Sequence, residues 1–304
     1  MVTHAAKGRK IRQSAEDRAF SLIVYSLGAL FMILAAYPIL YVFSASISSP
    51  ELIVSGDIVL LPRGIQFRAY EAVLKSSEVL LGYRNTILYS VTGTAINIVL
   101  TTLGAYVLSR PDLVGRNLLT FLISFTMFFS GGMIPTYITI KNLHLLNTFW
   151  VMVLPGAVSA TNLIIMRNFF QHSISQEIIE AAWVDGCSNT GTLWRIVLPI
   201  SGSILAVMVI FYFVGHWNAY FDAMIYLSDK SRYPLQVFLR EILIQNQLGD
   251  MAGGADTVGQ SEMTLLYEAL KYAVIVVATL PVLLIYPFMQ RYFVKGIMMG
   301  SIKG

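Results

Sequence analysis

Charge is what this chain has least of. Asp, Glu, Lys and Arg make up 12% of its 304 residues and hydrophobic residues 56%, about half the charged share of an average soluble domain. That balance points to a bilayer as solvent. Cysteine is nearly absent: Cys187 stands alone, which excludes an internal disulfide and argues against a thiolate metal site. Also missing are a Gly-x-x-x-x-Gly-Lys-Ser/Thr phosphate loop, a His-Glu-x-x-His motif and a carboxylate pair inside an apolar stretch. No catalytic residues are therefore expected, and the chain should not hydrolyse ATP by itself. His144 and His216 read as interfacial histidines rather than metal ligands.

The few charges are unevenly spread. Residues 19–50, 85–109, 117–140, 142–166, 196–221 and 272–290 contain no Asp, Glu, Lys or Arg. A helix rises ~1.5 Å per residue and the hydrocarbon core is ~30 Å thick, so ~20 apolar residues suffice to cross. A charge at the centre of such a helix would cost roughly 2.5–3.5 kcal/mol, which drives charges into the connections. The expected fold is all-α: a polytopic membrane protein of about six transmembrane helices. The first window exceeds a secretory h-region and lacks a small-residue cleavage site, so it reads as a retained helix.

Basic residues set the orientation. With the amino terminus inside, twelve of the 21 Lys and Arg residues fall on the inner side: Lys7, Arg9, Lys10, Arg12, Arg18, Arg110, Arg116, Arg167, Arg195, Arg291, Lys295 and Lys303. That excess has the sign of the positive-inside rule, so both termini should be cytoplasmic in a bacterial plasma (inner) membrane. The net charge of +4 then reflects topology and contact with lipid headgroups, and nucleic acid need not be invoked.

The chain divides into a basic arm (residues 1–18), a transmembrane domain (19–295) and a tail (296–304). Leu61-Pro62-Arg63-Gly64 is a turn signal within an outer segment. Gly131-Gly132 with Pro135, and Pro155-Gly156, should kink or break the third and fourth windows. Residues 222–271 form a long external loop. Its stretch Gly249-Asp250-Met251-Ala252-Gly253-Gly254-Ala255-Asp256 lacks apolar periodicity and reads as a flexible tip.

Residues 174–199 are too structured for a connector. Ser175 is placed to start a helix, Glu177 suits the positive end of its dipole, and Gly186 suits a left-handed C-terminal position. Asn189 is placed to cap a second helix that ends before Pro199. Ala181 and Ala182 leave a surface thin enough for close approach, while Ile178, Ile179 and Trp183 offer apolar contact, so the pair reads as a docking element.

Glu180-Ala181-Ala182, then Asp185-Gly186, then Leu198-Pro199 at this spacing resembles the signature of permease subunits of binding-protein-dependent ABC importers. The resemblance covers nearly the whole chain and runs toward the maltose-type carbohydrate permeases. Residues 290–304 look like the tail of that group's second permease. Residues 131–137 and 154–162 look like those of importers of complex oligosaccharides, including uronide fragments derived from alginate or pectin.

The resemblance implies a coupling-helix pair within residues 175–198. It implies ATPase-coupling roles for Glu180, Ala181, Ala182, Asp185, Gly186, Leu198 and Pro199, and a tail reaching the ATPase interface. Its implied partners are a second homologous permease in a heterodimer, two ATPase subunits that bind the ATP and Mg, and a solute-binding protein. No cofactor is implied on this chain. Gly249, Asp250, Gly253, Gly254 and Asp256 are the candidate contacts with the binding protein.

Asn97, Tyr106, Asn162, Trp217, Asn218 and Tyr220 are the candidate solute-path residues, because sugars take hydrogen bonds beside apolar ring faces. The rival reading is a secondary ion-coupled transporter. The charge-free windows count against proton coupling, though not against sodium sites built from carbonyls.

Overall fold

The computed structural model describes residues 14–251 and 258–301, with side chains for 14, 16–244 and 265–287. No strand occurs among the described residues. The chain falls into two units, Met1–Ala69 with Asp256–Val276, and Tyr70–Ala255 with Val277–Gly304.

In the first unit, α1 (Ala15–Ser46) opens with a reciprocal cap: Asp17 N donates to Ser14 Oγ and Ser14 N to Asp17 Oδ2, each at 3.1 Å. The helix therefore begins inside the stretch expected to be a free arm; residues 1–13 lie outside the described part. Most of its large apolar side chains are exposed, which water would not tolerate over ~30 Å but lipid does. After α2 (Pro50–Val54), the turn signalled by Pro62 and Gly64 folds back on the end of α1. Ser49 N donates to Arg63 O (3.1 Å), Gln66 N to Ile47 O (2.9 Å) and Ser44 Oγ to Leu60 O (2.5 Å). Gly64 has φ +63°. The short α3 (Arg68–Lys75) follows.

The second unit is organised by α4 (Ser77–Ser109), which packs against three helices introduced below. Its buried face is rich in small and polar residues, Gly82, Asn85, Thr86, Ser90, Gly93, Thr94, Asn97, Thr101, Thr102 and Ala105, set among Val79, Tyr89, Tyr106 and Leu108. Its exposed face carries Leu80, Ile87, Leu88, Val91, Val99, Leu100, Leu103 and Val107. This is the reverse of a soluble helix. With lipid as apolar as leucine, close backbone approach and interhelical hydrogen bonds decide which face turns inward.

The third and fourth windows break where glycine and proline place the punctuation. α5 (Arg116–Phe125) and α6 (Met133–Asn142) are separated at Gly132 (φ +84°). A 3₁₀ turn at Phe149–Met152 leads through Gly156 (φ +76°) to α7 (Ala160–Ser173), capped by Ser159. The segment 174–199 holds α8 (Gln176–Val184), α9 (Asn189–Thr192), a π-helical turn at Leu193–Val197 and α10 (Leu198–Ile200).

The second helix of that segment does not stop before Pro199. The wider turn feeds straight into Leu198, and Pro199 occupies the start of a helix, where a missing N–H is tolerated. The fifth window is correspondingly not one rod. Asn189–Ile200 and Gly202–Trp217 (α11) meet at 84°, and Ser201 Oγ donates to Val197 O (2.7 Å) at the corner.

The segment after α11 is more ordered than its polar tip suggests. It contains α12 (Phe221–Tyr226) and α13 (Leu235–Met251), so Gly249, Asp250 and Met251 continue a helix. The expectation of a flexible tip is thus corrected for these three; Gly253, Gly254 and Asp256 lie outside the described residues, as does the side chain of Asp250. Leu235, Val237, Phe238 and Leu239 are buried and supply the apolar anchoring.

α4 holds this segment through its polar face. Asn85 Nδ2 donates to Ser231 O (2.8 Å) and Tyr233 O (3.0 Å), Tyr89 OH to Arg232 O (2.8 Å), and Leu235 N to Thr86 Oγ1 (2.8 Å). Gly82 is required there, since a Cβ would stand 2.8 Å from Leu235 Cα. The last helix, α14 (Val258–Ser301), has its apolar stretch at Leu265–Pro287, and its backbone remains helical into the tail as far as Ser301. Among the described residues, the helices that pack most extensively on α4 are α7, α11 and α13.

Candidate functional site

Two groups of residues are of functional interest: segment 174–199 and the polar interior around Asn97. Segment 174–199 is fastened by its inner face. Ile174, Ile179, Leu193 and Val197 are buried with Ala105 and Tyr106 of α4, Met166 and Phe170 of α7, and Ile204, Met208 and Tyr212 of α11. Its outer face carries Glu177, Glu180, Ala181, Val184, Asp185 and Gly186, with Val184 88% exposed. The surface expected from Ala181 and Ala182 together is therefore divided. Ala182, Ile179 and half-buried Trp183 face their own chain, while Ala181 and Ile178 face outward. At the far end, Pro199 is exposed and Leu198 half-buried.

The turn between α8 and α9 follows from one glycine. Gly186 takes φ +80°, Gly186 N donates to Trp183 O (2.9 Å) and Cys187 N to Ala182 O (2.8 Å). That pair of bonds satisfies carbonyls that a helix end would otherwise leave unpaired. Ser175 occupies the N-cap position of α8 but makes no capping hydrogen bond; its hydroxyl instead lies 3.5 Å from Glu177 Oε2. The α9 cap is Ser188 rather than Asn189: Gly191 N donates to Ser188 Oγ (3.2 Å).

The six polar and aromatic candidates separate into two sets. Asn97 is 1% exposed and wholly engaged. Its Nδ2 donates to Gly156 O (3.2 Å) and Ala157 O (2.7 Å), and its Oδ1 pairs with His216 Nε2 (2.7 Å). Because both amide protons go to carbonyls, Oδ1 is the acceptor, which assigns a proton to Nε2 of the imidazole. Gly93 makes room for that ring: a Cβ there would meet Nε2 at 2.3 Å. Trp217, also 1% exposed, donates Nε1–H to Ala278 O (2.9 Å). Tyr106 OH donates to Asn189 O (3.2 Å), reaching α9 rather than the interior. Asn162 is half-buried, and Asn218 and Tyr220 are exposed.

Several residues here escaped sequence reading. Tyr212 OH accepts from Ser159 N (3.3 Å) and shares a 2.6 Å hydrogen bond with Thr101 Oγ1. Arg167 Nε donates to Leu108 O (3.2 Å) and Gln171 Nε2 to Ser109 O (3.5 Å), so α7 caps the last carbonyls of α4. Asn147, at φ +55°, accepts on Oδ1 from Ser228 N and Asp229 N and on its carbonyl from Arg232 Nη1. Hydrogen bonds from Ser231 hold the Asp229 carboxyl below its usual range. Only Asn147 carried a sequence signal, since asparagine is among the few residues that accept positive φ.

The geometry is that of a helical bundle with a broken, hydrogen-bonded interior and a pair of short helices, in segment 174–199, packed on its central helix. Residues 97–299 match the family described as the binding-protein-dependent transport system inner membrane component. The chain is similar to the polygalacturonan/rhamnogalacturonan transport system permease protein YtcP of Bacillus subtilis, with 40% identity over 95% of this chain and 100% of the relative. It is also similar to Protein LplC of the same organism, with 40% identity over 88% and 89%. Among solved structures, a chain of a bacterial ABC transporter involved in the import of the acidic polysaccharide alginate superposes with a TM-score of 0.81 and 35% identity over 93% of this chain and 100% of that one. By fold, matched length and identity, the chain belongs to the family of inner-membrane components of binding-protein-dependent transport systems.

Proposed function

We propose that this chain is one of two permeases in an ATP-driven importer of acidic oligosaccharides, working by alternating access. The observation that carries the substrate class is the agreement between two kinds of similarity. A relative of 40% identity is a polygalacturonan/rhamnogalacturonan permease, and a solved structure of 35% identity imports alginate. Polygalacturonan and alginate are both uronate polymers.

The docking element is assigned to the ATPase subunits, which hold ATP and its Mg. Exposure of Glu180, Ala181, Asp185 and Gly186 supports this assignment, and Ala182, Leu198 and Pro199 set the shape beneath them. The tail, residues 296–304, is assigned to the same interface. Asn162, Asn218 and Tyr220 stay available to solute, while Asn97, Tyr106 and Trp217 hold the frame around it. Gly249, Asp250, Gly253, Gly254 and Asp256 are assigned to the solute-binding protein named by the family.

Uptake of labelled oligogalacturonates by cells carrying the importer is expected to be inhibited by unlabelled oligogalacturonates and oligoalginates, but not by neutral maltooligosaccharides. Preference for the neutral sugars would overturn the substrate class. Uptake that ignored ATP depletion and followed an imposed sodium or proton gradient would instead favour the ion-coupled alternative.

Orientation is tested separately. Single cysteines at positions 9 and 254, in a Cys187→Ser background, are treated with a membrane-impermeant thiol reagent on intact cells. Position 254 is expected to react and position 9 to be protected. The opposite pattern would invert the assignment.

A further inference from the structure

Arg110 caps the end of α4 and is only 6% exposed, an unusual environment for a charge. Its Nε pairs with Asp112 Oδ1 at 3.2 Å, and Nη1 and Nη2 are buried without a hydrogen-bond partner among the described residues. What covers the guanidinium is aromatic: its carbon lies 4.2 Å from the centre of the Trp183 ring and 5.9 Å from that of Tyr106. Ring faces are electron-rich, and a planar, weakly hydrated guanidinium stacks on them where an ammonium would not. Trp183 belongs to α8, and Tyr106 donates its hydroxyl to Asn189 at the start of α9. Both short helices are thus tied to one end of α4.

Another attachment on α4 lies at Asn97, roughly 20 Å further along the axis. There one amide holds the carbonyls of Gly156 and Ala157 and the ring of His216 on α11. We infer that Arg110 is a positioning residue that locks α8 to α4, so that displacement of the docking element is delivered along α4 to the break at 153–159 and to α11. This rests on the reading of α8–α9 as the ATPase-docking element. An aromatic–guanidinium contact suits the role because it is directional and compact. Asp112 engages Nε, so α8 cannot slide without uncovering a charge that the rings now bury. A purely structural Arg110 would matter for assembly and leave transmission intact.

The test uses the importer purified with its co-assembling subunits and reads conformation directly, which removes any dependence on the solute. In a Cys187→Ser background, Leu154→Cys places a thiol on an exposed position beside the break. Its alkylation rate by a water-soluble maleimide is measured without nucleotide and after trapping with ATP, Mg and vanadate. The Arg110-intact protein should show a trapping-dependent change in rate. Arg110→Met and Trp183→Ala should reduce that change about tenfold, the effect on an equilibrium expected of one desolvated cation–π contact. Trp183→Phe, which keeps a ring face, should retain most of it. Subunit stoichiometry and basal hydrolysis are checked in each variant, and the Phe and Ala variants keep the comparison informative if Arg110→Met fails to assemble.

A full response in Arg110→Met or in Trp183→Ala would overturn the inference, as would no trapping-dependent change in the Arg110-intact protein. Gly186→Val separates the two levels. If it abolishes the response and the Arg110 and Trp183 variants do not, the lock is wrong and the docking assignment stands. If none of them alters the response, both fall.

Discussion

Gly186→Val is expected to leave the importer assembled while solute-stimulated ATP hydrolysis and uptake fall by about tenfold or more, a factor set by strain of roughly 1–3 kcal/mol in the turn. Space is not the issue, because a Cβ at this position would meet nothing within 4 Å. The backbone is the issue: at φ +80° a β-branched side chain meets its own carbonyl. Relieving that strain breaks the bonds from Gly186 N and Cys187 N to the end of α8 and turns Glu180 and Asp185 away from their present directions. Gly186→Asn tolerates the left-handed region and should keep most of the activity. Purified complexes of matched stoichiometry, assayed for basal and stimulated hydrolysis, would settle it. Normal stimulation in the valine variant would mean that the turn is a passive connector.

Asn97→Leu should destabilise the subunit by about 2–5 kcal/mol, from hydrogen bonds worth roughly 0.6–1.7 kcal/mol each inside a membrane protein. Leucine keeps the branched heavy-atom skeleton of asparagine, although its two methyls are bulkier than the amide they replace and overpacking adds to the loss. What changes is that Gly156 O, Ala157 O and His216 Nε2 lose their partner together. Irregular backbone at membrane depth persists only where something satisfies it, and here Asn97 takes two carbonyls of the break while Tyr212 OH takes Ser159 N. Heating detergent-solubilised complex and following the fraction still assembled provides the measurement. A melting curve equal to that of the Asn97 protein would show that water or other groups satisfy the break without Asn97.

Local chemistry made part of this molecule readable. The turn at Gly186 and the breaks near Gly132 and Gly156 follow from residues whose backbone preferences act within a few positions. Ser175 and Gly186 marked the two ends of α8 for the same reason. Reading failed where the deciding partner was distant in sequence. Arg110 looked like an ordinary basic anchor beside Pro111, and only the return of Trp183 to the end of α4 buries it. Tyr106 looked like a sugar platform, yet its hydroxyl belongs to Asn189.

Pro199 illustrates a different failure. Proline costs an α-helix one hydrogen bond and crowds the turn before it, but a π-helical turn at Leu193–Val197 shifts the hydrogen-bond ladder so that proline starts the next piece. For residues 222–251, attention to the glycines hid the apolar cluster of Leu235, Val237, Phe238 and Leu239, which needs Gly82 and Thr86 of α4 to make sense. Charge-free windows, finally, measure composition alone. They located apolar material correctly, but breaks at 126–132 and the 84° corner at Ser201 show that one window need not be one rod.

The inverted patterning of α4 bears on how this chain would diverge over time. Its exposed leucines and valines need only an apolar surrounding, so drift among Leu, Ile, Val and Phe at positions 80, 87, 91, 99 and 103 costs little where that surrounding is lipid. Gly82, Gly93, Asn97 and Thr101 face fixed atoms at hydrogen-bond or van der Waals distance, so selection acts there against almost every replacement. In distant descendants the hydrophobic letters of this helix would be scrambled first. Its least hydrophobic positions would be the last record of common ancestry.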